Sequence, residues 1–172
     1  MTATGEAVFS TTEERVSSGP APLTAGEYGL RLSNDASIAQ KKVPGSVPYI
    51  NVSFEVLESA TTEGGKNRRI FTRFFLNRKA GRDGVVGTNR KGGIVDFAQG
   101  LGAEFQAPIV RQQTRDENGN DVTLEYLDPE AVKSWLTEAA GQEVRALLKI
   151  QAASGDFEAR NEIKSFKRPS NN

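Results

Sequence analysis

The sequence predicts a mainly β protein: a small five-stranded antiparallel barrel that carries an added hairpin and two short helices. Three observations lead there. Apolar and polar residues alternate in several separate segments, most cleanly in Tyr49-Ile50-Asn51-Val52-Ser53-Phe54-Glu55-Val56-Leu57. There Ile50, Val52, Phe54 and Val56 share one face and Tyr49, Asn51, Ser53 and Glu55 the other. Helical spacing is confined to two short stretches, one ending near Gly102 and one running from Asp128 to Gly141. Both helices fall between the third and fourth long strands.

Residues 1–23, rich in Thr, Ser, Ala, Gly and Pro, read as a flexible N-terminal arm, 24–168 as the folded domain and 169–172 as a frayed tail. The first strand is Tyr28-Gly29-Leu30-Arg31-Leu32, with Tyr28, Leu30 and Leu32 on one face. Lys41-Lys42-Val43-Pro44-Gly45-Ser46 is a basic turn before the Tyr49–Leu57 strand. A polar loop leads to the third strand, Arg69-Ile70-Phe71-Thr72-Arg73-Phe74-Phe75. Ile94, Phe97, Ala98 and Leu101 form the stripe of the first helix. Ile109 to Glu125 reads as a hairpin turning at Asp116-Glu117-Asn118-Gly119-Asn120. Asp128-Pro129-Glu130 starts the second helix: Asp caps it, Pro takes the first helical position and Glu lies in the first turn. Val132, Trp135, Leu136 and Ala139 are its buried stripe. Two final strands place Val144, Ala146, Leu148 and Ile150 on one face, then Phe157, Ala159, Asn161 and Ile163. This order fits the five-stranded OB-fold, which carries a helix at that point; an open antiparallel α+β sheet is the alternative.

With 172 residues, 26% charged and 37% hydrophobic, the chain suits one ordinary globular domain. It has no Cys and no His, which excludes disulfides, thiolate zinc sites and the commonest general base. No paired-acid motif points to a magnesium site, so the expectation is a non-enzymatic protein without a cofactor. No apolar run approaches the ~18 residues of a membrane span. The N-terminus lacks the basic-then-apolar pattern of a signal peptide, so a cytoplasmic protein is expected.

Charge is the strongest functional signal. The formal net charge is zero, yet Lys66 to Lys91 holds nine Lys or Arg and a single acid, Asp83. Inside it, a strand from Arg69 places Arg69, Phe71, Arg73 and Phe75 on one face and Ile70, Thr72, Phe74 and Leu76 on the other. Guanidinium alternating with ring suits a single-stranded nucleic acid, which needs cations for phosphate and π-faces for unstacked bases. Tyr49, Phe71 and Phe75 are the candidate base-stacking residues. Arg69, Arg73, Arg78, Lys79, Arg82, Arg90 and Lys91 are the candidate phosphate contacts. The alternative for this strand packs Phe71 and Phe75 under a loop or helix and leaves Phe74 partly exposed. Gly81-Arg82-Asp83-Gly84-Val85-Val86-Gly87 lacks the Lys-Ser/Thr ending of a P-loop and reads as a mobile loop.

Several segments carry a resemblance: Gly26-Glu27-Tyr28-Gly29-Leu30-Arg31-Leu32, then Ile50 to Leu57, then Arg69 to Phe74, then the helix with Phe97 and Leu101. Gly141-Gln142-Glu143-Val144 and Arg160-Asn161-Glu162-Ile163-Lys164-Ser165-Phe166 close it. Over about residues 24–168 the chain resembles small bacteriophage proteins encoded among replication and recombination genes, which look like single-stranded-DNA-binding proteins of OB-fold type. The resemblance implies sequence-tolerant binding of single-stranded DNA in replication, recombination or repair, in the bacterial host cytoplasm. It admits phage or host replication and recombination proteins as partners. For the 107–125 hairpin, assembly into a homo-oligomer and a simple insertion both stay open. Many single-strand-binding proteins end in an acidic tail that recruits enzymes, whereas this chain ends Phe166-Lys167-Arg168-Pro169-Ser170-Asn171-Asn172. A protein-interaction or virion-structural module on the same small barrel is the alternative function.

Overall fold

The computed structural model describes residues 21–59, 68–80, 84–155 and 158–169. In chain order these form β1 (Gly26–Leu32), β2 (Ser37–Ala39), β3 (Tyr49–Ser59), β4 (Arg69–Phe75), α1 (Ile94–Leu101), β5 (Ile109–Arg115), β6 (Asp121–Leu127), α2 (Pro129–Ala139), β7 (Glu143–Gln151) and β8 (Arg160–Phe166). The fold is mainly β and every strand pairing is antiparallel.

Six strands make one sheet in the order β2-β3-β1-β7-β8, with β4 on the free edge of β3. The length of β3 permits this. Its 49–55 half pairs with β4 along one edge, while β2 (at 49–51) and β1 (from Phe54 onward) follow one another along the other. The expected five-stranded barrel is therefore corrected in two respects: the described residues contain eight strands, and no closed barrel forms. A closing ladder would join β4 to β8, and none exists. The turn before α1 occupies that seam. A Cβ on Gly92 would lie 2.6 Å from the Ile163 carbonyl oxygen. The Asp96 carboxylate accepts from Gly92 N and from Phe166 N, so it takes a backbone donor that a neighbouring strand would otherwise use.

The inward faces of β1, β3, β4 and β7 bury Tyr28, Leu30, Leu32, Ile50, Val52, Phe54, Val56, Ile70, Phe74, Val144, Ala146 and Leu148. Phe54, Phe74, Phe97 and Phe166 meet in the centre, and Trp135 sets its edge against Phe97 at 6.1 Å. Ring pairs in such stacked, tilted and edge-on geometries add to the hydrophobic gain of burial. Both helices run as their punctuation predicts. Gly102 closes α1 at φ 68°, and the Asp128 side chain caps α2 by accepting from Glu130 N.

Four local readings change. The short β2 carries too few residues to show alternation. Ile150, expected on the inward face, is 47% exposed because β1 covers β7 only as far as Leu148. A bulge between Leu147 and Leu148 shifts the β7–β8 register, so Phe166 turns inward although Ile163 also does. Leu23, placed in the arm by composition, is buried, and its backbone N and O both bond to the Asn161 amide. Phe157 lies outside the described residues, as do most of the arm and tail.

Candidate nucleic-acid interface

Period-two geometry puts Arg69, Phe71, Arg73 and Phe75 on the outer face of β4, while Ile70 and Phe74 go to the core. This disposes of the packed alternative. Phe74 is fully buried, whereas Phe71 is 72% and Phe75 40% exposed. The β3–β4 register sets Tyr49 opposite Phe75, Asn51 opposite Arg73, Ser53 opposite Phe71 and Glu55 opposite Arg69. Directly opposed residues share a face, so the two strands present one surface. The Tyr49 and Phe75 rings stand 6.2 Å apart at 55°. The Arg73 guanidinium carbon lies 4.8 Å from the Tyr49 ring centre, within cation–π range. Among the described residues no carboxylate pairs with Arg73, so its charge remains open to a ligand.

The two ends of this surface differ electrically. At the Arg69 end, Asp35 lies 3.7 Å from the Arg69 guanidinium. Asp35 also accepts from the hydroxyl and backbone N of Ser53, so Ser53 is buried although it belongs to the outward set. Glu55 and Glu143 share Arg31 close by. The Phe75 end has no comparable acids on β3 or β4 and leads to Arg78 and Lys79.

Beside β4, where no ladder joins it to β8, lies a groove of about 620 Å³. Phe71, Thr72, Arg73 and Phe75, with Asn51, line one side; Arg160, Asn161, Glu162 and Ile163 of β8 line the other, with the Arg90–Gly93 turn. The groove thus collects Phe71, Arg73, Phe75, Arg90 and Lys91, and Tyr49 touches it through Phe75 and Arg73. Arg69, Arg78 and Lys79 do not line it. Arg78 N donates to Glu125 O and Lys79 Nζ to Thr123 O, which ties this stretch to the β5–β6 hairpin. Arg82 lies outside the described residues.

The sequence reading missed the β8 wall. Arg160 carries a cation into the groove, with Glu162 at 3.7 Å. No local signal marks it, because β4 and β8 face one another without a ladder. Among the described residues no three acidic side chains converge in a way that could hold a metal ion, and no helix is long and apolar enough to cross a membrane. Comparison with protein-family models, with curated proteins and with solved structures returns no match.

Proposed function

We propose that this protein binds single-stranded DNA, without marked sequence preference, along the outer face of β3 and β4 and the adjoining groove. The observation that carries the reading is Phe71, a phenylalanine 72% exposed in the middle of a regular strand, in one row with Arg73 and Phe75. An apolar ring held in water gains free energy when a base covers it, at roughly 25 cal/mol per Å² of apolar surface removed. Stacking on a base contributes roughly 1–3 kcal/mol. Every base has a π-face, so such a platform tolerates any sequence, while a duplex keeps its faces stacked inside. Arg73, Arg90 and Lys91 would meet phosphate, and Arg160 would do so from the facing wall.

The strand order supports an OB-type barrel left open between its third and fifth core strands, which is the finer form of the same proposal. Service in DNA replication, recombination or repair belongs to it as well, on the resemblance given above. The test is a titration of fluorescent oligo-dT of about sixteen nucleotides, at the upper end of the usual site size for one such fold. Unlabelled duplex of equal length serves as competitor. Salt-sensitive binding that duplex does not displace is expected. Absence of binding at low salt would transfer the basic face to an acidic protein partner.

A further inference from the structure

The Lys41–Ser46 loop and the β5–β6 hairpin have no part in the site so far, yet they touch. A Cβ on Gly45, whose φ is +82°, would lie 3.2 Å from the Asp116 Cα at the hairpin tip. That tip is itself fixed: Asp116 Oδ1 accepts from Asn118 N and Asn120 N, and Gly119 takes φ +80°. The base of the hairpin is anchored where Leu127 N donates to Leu76 O and Arg78 N to Glu125 O. The loop is also tied internally, by Gln40 Nε2 to Ser46 O at 2.8 Å, Ser46 Oγ to Lys41 O at 2.8 Å and Ser46 N to Val43 O at 3.1 Å. It therefore holds its shape without a ligand.

Its place is specific. Ala39 pairs with Tyr49 and Tyr49 with Phe75, so the loop leaves the sheet at the Phe75 end of the aromatic row. Lys41 and Lys42 are exposed, and among the described residues neither meets a carboxylate. On the hairpin, by contrast, Arg111 is paired with Glu125 and Arg115 with Asp121. At the opposite end of the row the ionic groups are also paired, Asp35 with Arg69 and Glu55 with Arg31.

We infer that the β5–β6 hairpin is a buttress for a second phosphate-binding site, Lys41 and Lys42, onto which a single strand passes after Phe75. This rests on the single-strand reading and adds a direction to it: the ligand extends beyond the aromatic row toward the lysine loop. Lys41 and Lys42 are the contacting residues; Gly45 is a positioning residue, because at φ +82° a side chain is strained and its Cβ would crowd the Asp116 Cα.

The test compares oligo-dT of about six and about sixteen nucleotides, lengths within the range one such fold accommodates. Binding of the intact chain is set against that of Lys41→Ala with Lys42→Ala and, separately, of Gly45→Ala. The six-mer should bind all three alike. With the lysines removed, affinity for the sixteen-mer should fall about tenfold at low salt, and its salt slope should become shallower by about 1.4, or about 0.7 per phosphate contact. Gly45→Ala should lose part of the same length-dependent gain with every charge retained. A sixteen-mer affinity unchanged by the lysine substitutions overturns the inference, as does an equal loss on both lengths. If the unaltered chain binds neither oligonucleotide, the single-strand reading itself fails.

Discussion

Replacing Phe71 and Phe75 together by alanine separates binding from folding. Phe71 is 72% exposed and Phe75 40%, and neither belongs to the buried aromatic cluster of Phe54, Phe74, Phe97 and Phe166. The free protein therefore loses little; the main contact removed is the 6.2 Å pairing of Phe75 with Tyr49. In a complex each ring would stack on one base at roughly 1–3 kcal/mol, so the pair contributes roughly 2–6 kcal/mol. At about 1.4 kcal/mol per tenfold, the lower figure already weakens binding about 30-fold. Anisotropy of labelled oligo-dT at fixed low salt reads the affinity, and the urea midpoint of the same preparation reads the fold. Phe74→Ala supplies the contrast, because emptying a fully buried phenylalanine site costs about 3–5 kcal/mol of stability. Unchanged affinity in the double variant, with its urea midpoint preserved, would refute the stacking argument.

Arg73→Ala should weaken oligo-dT binding and make the salt slope shallower by about 0.7, the effect of one phosphate contact, read as affinity against salt concentration. Asp96→Ala should lower stability by about 1–3 kcal/mol in urea unfolding, since Gly92 N and Phe166 N lose their shared buried acceptor. Glu27 accepts a hydrogen bond from Arg145 and pairs with Lys167, which hold its carboxyl below the ordinary glutamate range against a smaller opposing effect of burial. A carboxyl depressed in the folded state stabilises above its unfolded value, and that contribution is lost as pH falls through the folded one. Glu27→Gln should therefore flatten the loss of stability on acidification below about pH 4.3, measured as urea midpoints along a pH series.

Much of this architecture is visible in the sequence, for a definable reason. Alternation in β3 and β4 reports directly which side chains share a face, so Phe71 and Phe74 fall on opposite faces by period two alone, while the arginines beside Phe71 argue that its face is the outer one. The helix ends follow from Asp128, Pro129 and Gly102, whose backbone requirements are local. What escapes is set by contacts distant in the chain. Ser53 lies in the outward register yet is buried because Asp35 folds over it. Lys79 reads as a free cation, but its ammonium bonds to the hairpin at Thr123. The β8 wall, with Arg160, becomes part of the groove only because the Gly92 turn and Asp96 stand between β4 and β8 in place of a ladder. A bulge, as at Leu147/Leu148, reverses the phase of a strand without any mark in its composition.

The most direct test of the central claim is to locate a bound base on the protein. An oligo-dT with single thymines replaced by 5-iodouracil would be irradiated in the complex, digested with trypsin and the crosslinked peptides identified by mass spectrometry. The account predicts crosslinks in the peptides spanning 70–73 and 74–78, which hold Phe71 and Phe75. Crosslinks confined to α2 or β7, with none on β3 or β4, would contradict it.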